Sequence, residues 1–226
     1  MTINLCYNFN ILYYLRTENG ECCNISIKSI KKIILASKSA ARKSILVSLG
    51  IKAEIYVTDA DETLYDDINF TPEDIVTGLA QRKARKAADE INDPSVMIIT
   101  ADTVVVYDKK IIGKPIDAND AVKTLSMLSG KFHEVYSGIT VVFDNKTVCD
   151  CDVTKVKFRD INKKEIEEYV KTGDPLTKAG SYGAEGAGAT FIEHIEGDFF
   201  NIAGLPVFKF ANILKNDFDM TVFDLI

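Results

Sequence analysis

Several segments of the chain place ionisable side chains where phosphoryl chemistry would need them. Asp102 directly follows the apolar run Val96 to Thr100, which reads as a buried strand, and strand ends carry much of the ligand and catalytic chemistry of α/β sheets. The turn Gly113-Lys114-Pro115 begins eleven residues further on, and Asp59-Ala60-Asp61-Glu62 adds an acidic loop. A carboxylate, an oxygen-ligated divalent metal and lysines together suit attack at phosphorus. The metal spreads negative charge, the cations hold non-bridging oxygens, and the carboxylate orients or deprotonates water.

Two further segments fit the same chemistry. Ser37-Lys38-Ser39-Ala40-Ala41-Arg42 sets hydroxyls and cations at the start of a helix, where unpaired backbone N–H groups favour anions. It is not a Walker loop, because no GxxxxGK[ST] pattern occurs; taken alone, the pattern favours an ordinary serine-capped helix with solvated Lys38 and Arg42. Lys83 falls in the row Ile75, Leu79, Lys83, Ala87, Ile91, nearly one face of a helix. There it either snorkels to the rim or points into a cleft towards an anion, while Arg82, Arg85 and Lys86 fall on the solvated side. The stretch Asp174-Pro175 to Gly186 concentrates glycines beside Lys178, Tyr182 and Glu185, as suits a backbone that approaches a ligand closely.

The elements that must position these groups alternate in type. Residues 31–36 read as a short strand, followed by a helix from about Ser39 that stops at Gly50. Ala53 to Val57 reads as a strand and Thr58 to Asn69 as the acidic loop. Thr71-Pro72-Glu73-Asp74 opens a helix that reaches Glu90 or Ile91: capping hydroxyl, proline at the first position, acids in the first turn. Val96 to Thr100 is then a strand, with a hairpin from Val104 to Ile112 and a helix capped by Asp117 that ends near Gly130. Two long strands, Val135–Phe143 and Lys146–Phe158, turn at Asp144-Asn145. Asn162 with Glu165 opens a short helix, and a strand near Ala189–Ile195 and a helix near Pro206–Leu214 complete the chain. The class is α/β, of the α+β type with a mixed sheet. Residues 1–28 read as an N-terminal extension and 29–226 as a single catalytic domain.

Composition narrows the rest. The 226 residues are 46% hydrophobic and 27% charged, an ordinary globular balance. No apolar run approaches the roughly 18 residues of a membrane span, and no basic residue precedes the first apolar patch as a secretory leader requires. A net charge of −6 argues against a nucleic-acid partner. Five cysteines without CxxC spacing and two histidines, His133 and His194, give little support to a disulfide framework, a zinc site or a histidine triad. A reducing, cytoplasmic setting is expected.

Taken in order, Leu35-Ala36-Ser37-x-Ser39-x-x-Arg42, Ala101-Asp102-Thr103, Gly113-Lys114-Pro115, Leu128-Ser129-Gly130, Asp174-Pro175-Leu176 through Tyr182-Gly183, and Ile195-Glu196-Gly197 to Gly204-Leu205-Pro206 resemble the Maf family of nucleoside triphosphate pyrophosphatases. The resemblance spans about residues 31–215. It implies a fold related to the inosine triphosphatases, two lobes around a central cleft, and commonly a homodimer. It also implies hydrolysis of a nucleoside triphosphate to the monophosphate and pyrophosphate with a divalent metal, Mg²⁺ or Mn²⁺, as a cleansing activity on nucleotide pools. By motif, Asp102 matches the proton acceptor. Glu62 and Asp102 match the metal region, and Ser39, Arg42, Lys83 and Lys114 match polar positions along the phosphates, with Lys178 added. Base selectivity maps to Ala41, Thr103 and Glu185. Thr103 agrees with the subfamily acting on dTTP and UTP, Glu185 with the one acting on 7-methyl-GTP, and Ala41 with neither. The resemblance favours dTTP/UTP, including modified pyrimidine nucleotides. A 7-methyl-GTP pyrophosphatase and a nucleotide-binding regulator of cell division without turnover are the alternatives.

Overall fold

The computed structural model describes residues 13–16, 22–25, 30–60 and 70–226. Most of the N-terminal extension, and the part of the acidic loop that holds Asp61 and Glu62, lie outside the described residues. Strands β1 (Tyr13–Arg16) and β2 (Cys22–Ile25) pair antiparallel with each other.

The remaining strands form a seven-stranded mixed sheet. β3 (Lys32–Leu35) lies parallel to β4 (Ala53–Ile55) on one side and to β5 (Val96–Tyr107) on the other. Helix α1 (Ala40–Ser48) connects β3 to β4, and α2 (Pro72–Ile91) connects β4 to β5. The other pairings are antiparallel. β6 (Lys110–Ile112) folds back on β5, and β7 (Phe132–Phe143), β8 (Lys146–Phe158) and β9 (Ile192–Glu196) extend the sheet in the order β4-β3-β5-β7-β8-β9. Helix α3 (Ala118–Leu128) precedes β7, α4 (Lys163–Lys171) follows β8, and α5 (Phe199–Ile202) and α6 (Val207–Phe218) close the chain. No helix among the described residues is long and apolar enough to cross a membrane.

Local chemistry sets these boundaries. Thr71 and Asp74 cap α2 reciprocally: Thr71 N donates to Asp74 Oδ2 at 2.9 Å, and Asp74 N donates to Thr71 Oγ1 at 3.2 Å, with Pro72 at the first helical position. Asn162 and Glu165 repeat the arrangement at α4. The β5–β6 and β7–β8 hairpins turn on Asp108-Lys109 and Asp144-Asn145, all at positive φ, the two-residue geometry that matches strand twist.

Two large buried clusters stand on either side of the cleft described below. One packs α1 and α6 on β3, β5 and β7 through Leu35, Leu46, Phe143 and Phe210. The other packs α3 and α4 on β8 and the glycine-dense segment through Leu125, Phe158, Tyr169 and Tyr182. Helix α2 covers part of the sheet with small residues, Ala80, Ala84 and Ala87, all fully buried.

The structure corrects the sequence reading in four places. β5 does not end at Thr100. It runs through Asp102 to Tyr107 because β7 pairs with it without interruption from Ile98↔Val142 to Val106↔Glu134, so backbone bonding overrides the break in the apolar pattern. Residues 186–191 form a 3-10 turn, which delays β9 to Ile192. The four-residue helix α5 has no counterpart in the sequence reading, and α6 continues to Phe218 rather than ending near Leu214.

Candidate active site

The site opens where the sheet is incomplete. β3 leaves β5 after Leu35↔Ile99, and β6 joins only at Val105↔Ile112, so the edge of β5 between them carries no strand. Successive side chains of a strand point to opposite faces, and at this gap both faces reach one cleft. Asp102 and Thr103 both line it, and its volume is about 730 Å³.

On the α2 face, Lys83 resolves its ambiguity by pointing inward. Its ammonium donates to Asp102 Oδ1 at 2.6 Å, with side chains only 9% and 15% exposed. The neighbouring turn is held by Thr100 Oγ1, which donates to Ala80 O at 2.7 Å. The close approach of helix and sheet depends on Gly138, the β7 residue paired with Asp102. A Cβ built there would lie 2.5 Å from the carbonyl oxygen of Val76.

On the opposite face, Ser39 caps α1 by accepting from Arg42 N at 3.4 Å. The Arg42 guanidinium is oriented by its own bonds: Nε donates to Gly204 O at 2.7 Å, Nη1 to Ser37 Oγ at 3.2 Å and Nη2 to Thr103 Oγ1 at 3.2 Å. Ser39, Ala41 and Arg42 all line the cleft.

The far wall comes from the glycine-dense segment, which folds as short 3-10 turns. Gly180 N donates to Gly113 O at 3.0 Å, which draws this segment against the turn bearing Lys114. Lys114, Lys178 and Glu185 line the cleft. Tyr169 ties the segment down: its hydroxyl donates to Asp174 Oδ2 at 2.6 Å and accepts from Gly183 N at 3.1 Å. Tyr182 is buried against Phe158 and lies 2.8 Å from Nε2 of His133.

His133 is 2% exposed, and burial lowers its pKa to about 4. A base whose folded pKa lies below its unfolded value contributes stability that is complete above pH 6.5 and is lost as pH falls towards 4. At about 1.4 kcal/mol per pH unit, the loss amounts to roughly 3 kcal/mol. Urea unfolding at pH 7 and pH 4.5 should show this slope, and His133→Gln should flatten it relative to wild type.

Every sequence-expected site residue that is described lies in this one cleft; Glu62 lies outside the described residues. Among them, no three acids, histidines or cysteines converge. The cleft carboxylates are Asp102, Asp59 and Glu185, and Asp59 also meets Lys86 at 3.1 Å. These three do not converge, so the match to an ion such as Mg²⁺ is one of donor type alone: hard carboxylate oxygens, used in ones or twos beside phosphate oxygens. Sequence reasoning missed His133, Tyr169, Ser137 and Asn201. Gly138 was findable, since an isolated glycine in a strand pattern signals a close backbone approach.

The model of the family described as Maf-like protein matches residues 32–217. The chain belongs to the Maf-like family. A dTTP/UTP pyrophosphatase of Bacillus cereus (strain ATCC 10987 / NRS 248) is 40% identical to this Maf-like chain over 205 residues, which cover 91% of the chain and 95% of that protein. One from Bacillus cytotoxicus is 42% identical over 186 residues, with 82% and 95% covered. Among solved structures, the Staphylococcus aureus Ham1 protein aligns with a TM-score of 0.40 at 14% identity, over 72% of this chain and 80% of that one.

Proposed function

We propose that this Maf-like chain hydrolyses a nucleoside triphosphate, dTTP or UTP by preference and modified pyrimidine nucleotides with them, to the monophosphate and pyrophosphate. The observation that carries the reading is the Lys83–Asp102 pair at the base of a cleft that also presents Arg42, Lys114 and Lys178. The names of the relatives support the same substrates.

In this reading Asp102 accepts a proton from water as its oxygen attacks the α-phosphorus. The bond from that phosphorus to the α,β-bridging oxygen breaks, and pyrophosphate leaves with the electron pair. Lys83 fixes the Asp102 carboxylate, Ser39 and the start of α1 receive phosphate oxygens, and Arg42, Lys114 and Lys178 meet the charge that develops on the leaving group. Asp102 and Glu62 would hold a divalent cation, Mg²⁺ or Mn²⁺, which when bound polarises phosphoryl oxygens and neutralises their charge.

Thr103 supports the pyrimidine preference. Glu185 in the cleft favours a second reading, 7-methyl-GTP, because its carboxylate can accept from the guanine N1–H and N2–H₂ edge. The proposal also places the protein in a reducing cytoplasm as a homodimer with no nucleic-acid partner. The net charge of −6 supports the last point, and the resemblance supports the dimer.

The test is pyrophosphate release from dTTP, UTP, CTP, 7-methyl-GTP, GTP and ITP, with Mg²⁺ or EDTA. Turnover of dTTP and UTP that EDTA abolishes and excess Mg²⁺ restores is expected. A preference for 7-methyl-GTP would move the substrate to the second reading. A flat panel with bound nucleotide retained would replace the enzyme with a binding regulator.

A further inference from the structure

Arg42 is gripped by more than its immediate neighbours. Thr103 Oγ1, which accepts from Arg42 Nη2, lies 2.8 Å from Ser137 Oγ, and Ser137 Oγ lies 2.8 Å from the main-chain carbonyl of Asn201. A carbonyl only accepts and a hydroxyl holds one proton, so every direction is determined. Ser137 donates to Asn201 O, Thr103 donates to Ser137, and Arg42 donates to Thr103. Thr103 and Ser137 sit directly opposite each other on β5 and β7, and Ser137 and Asn201 are fully buried.

The far end of this chain of bonds is itself anchored. The Asn201 side-chain amide donates to Val135 O at 2.9 Å and to Thr154 Oγ1 at 3.0 Å, which ties α5 to β7 and β8. The turn leaving α5 presents Gly204 O directly to Arg42 Nε. One short segment therefore holds the guanidinium twice, once directly and once through two hydroxyls.

We propose that Ser137 is a positioning residue for the reaction, acting with Asn201 through Thr103 to hold the Arg42 guanidinium in its phosphate-facing orientation. Thr103 then serves the site by orienting Arg42, whatever it contributes at the base. The inference rests on the pyrophosphatase reading for its kinetic consequence alone.

Ser137→Ala and Thr103→Val each remove a hydroxyl from the relay, and Thr103→Ser keeps it. With dTTP and Mg²⁺, the first two should lower kcat about tenfold, the size of one hydrogen bond lost from a charged contact. KM should change little, since the lost orientation matters most as charge develops. Thr103→Ser should keep clearly more of the wild-type kcat than Thr103→Val. In an Arg42→Ala background neither hydroxyl deletion should cost anything further. Losses that persist undiminished in that background, or equal losses in Thr103→Ser and Thr103→Val, would overturn the relay.

A second measurement does not depend on turnover. Nitrogen-15 spectra of the arginine side chains should show restricted rotation of the Arg42 Nη groups in wild type, assigned by its absence in Arg42→Lys. Rotation should be faster in Ser137→Ala, where the bonds to Gly204 and Ser37 remain but Thr103 loses its fixed acceptor; rotation unchanged in Ser137→Ala would refute the relay. Free rotation already in wild type would refute the relay. Restricted rotation in a protein that releases no pyrophosphate would keep the relay and remove the proposed reaction.

Discussion

Asp102→Asn is expected to lower pyrophosphate release by roughly 100- to 10,000-fold, the range associated with losing a positioned general base. Stability should change as well, because Asp102 is the partner of a lysine whose side chain is 9% exposed. Removing one member of such a pair takes away the counter-charge that the other faces at close range, at up to about 3–5 kcal/mol. Lys83→Met should destabilise to a similar degree by stranding the carboxylate. The double variant Asp102→Asn/Lys83→Met should recover most of the stability, since two neutral side chains of similar size refill the same space. It should recover none of the turnover. Urea midpoints and pyrophosphate release on the three proteins separate the roles: activity that returned with stability would mean that the pair is architectural and the chemistry lies elsewhere in the cleft.

Gly138→Ala should be strongly disruptive, although it adds a single methyl. The added carbon would lie 2.5 Å from Val76 O and 2.6 Å from Val76 C, both backbone atoms of α2, so no side chain can rotate away to relieve the contact. Overpacking of this kind costs about 3 kcal/mol. Relief requires α2 to lift from β7, and Lys83 rides on the same helix two turns further on. A lower urea midpoint is therefore expected together with a lower kcat in the protein that remains folded, as the 2.6 Å bond to Asp102 lengthens. An unchanged midpoint would mean that the helix moves at no cost, and the account of the close approach would fail.

How much of this was legible depended on the range of the interaction. The starts of α2, α3 and α4 could be read because Thr71, Asp117 and Asn162 bond to backbone three residues away. The cleft residues were found by motif, and all that are described do share one cleft. What could not be read was pairing at long range. The helical row identified Lys83 as unusual, but its direction was decided by Asp102 on a strand that the apolar pattern ended too early. The grip of Gly204 on Arg42 spans 162 residues. Ser137 reads as an ordinary strand residue until Thr103 is seen opposite it. His133 carries no local signal of its partner Tyr182, 49 residues away.

The two walls of the cleft are unequal in how they can open. Asp102 belongs to an uninterrupted nine-pair ladder between β5 and β7, which runs past it in both directions. Its exposure therefore requires disruption of the central sheet and comes close to global unfolding. Lys178 and Glu185 instead hang on short 3-10 turns whose main attachments are Tyr169, Tyr182 and one bond to Gly113. That wall lies outside every strand ladder, so its release would leave the sheet intact while uncovering Tyr182 and Ala184 from the second buried cluster. Under the proposed reaction, any widening of the cleft for nucleotide or product would come from the glycine-rich wall and leave the strand that carries Asp102 in place.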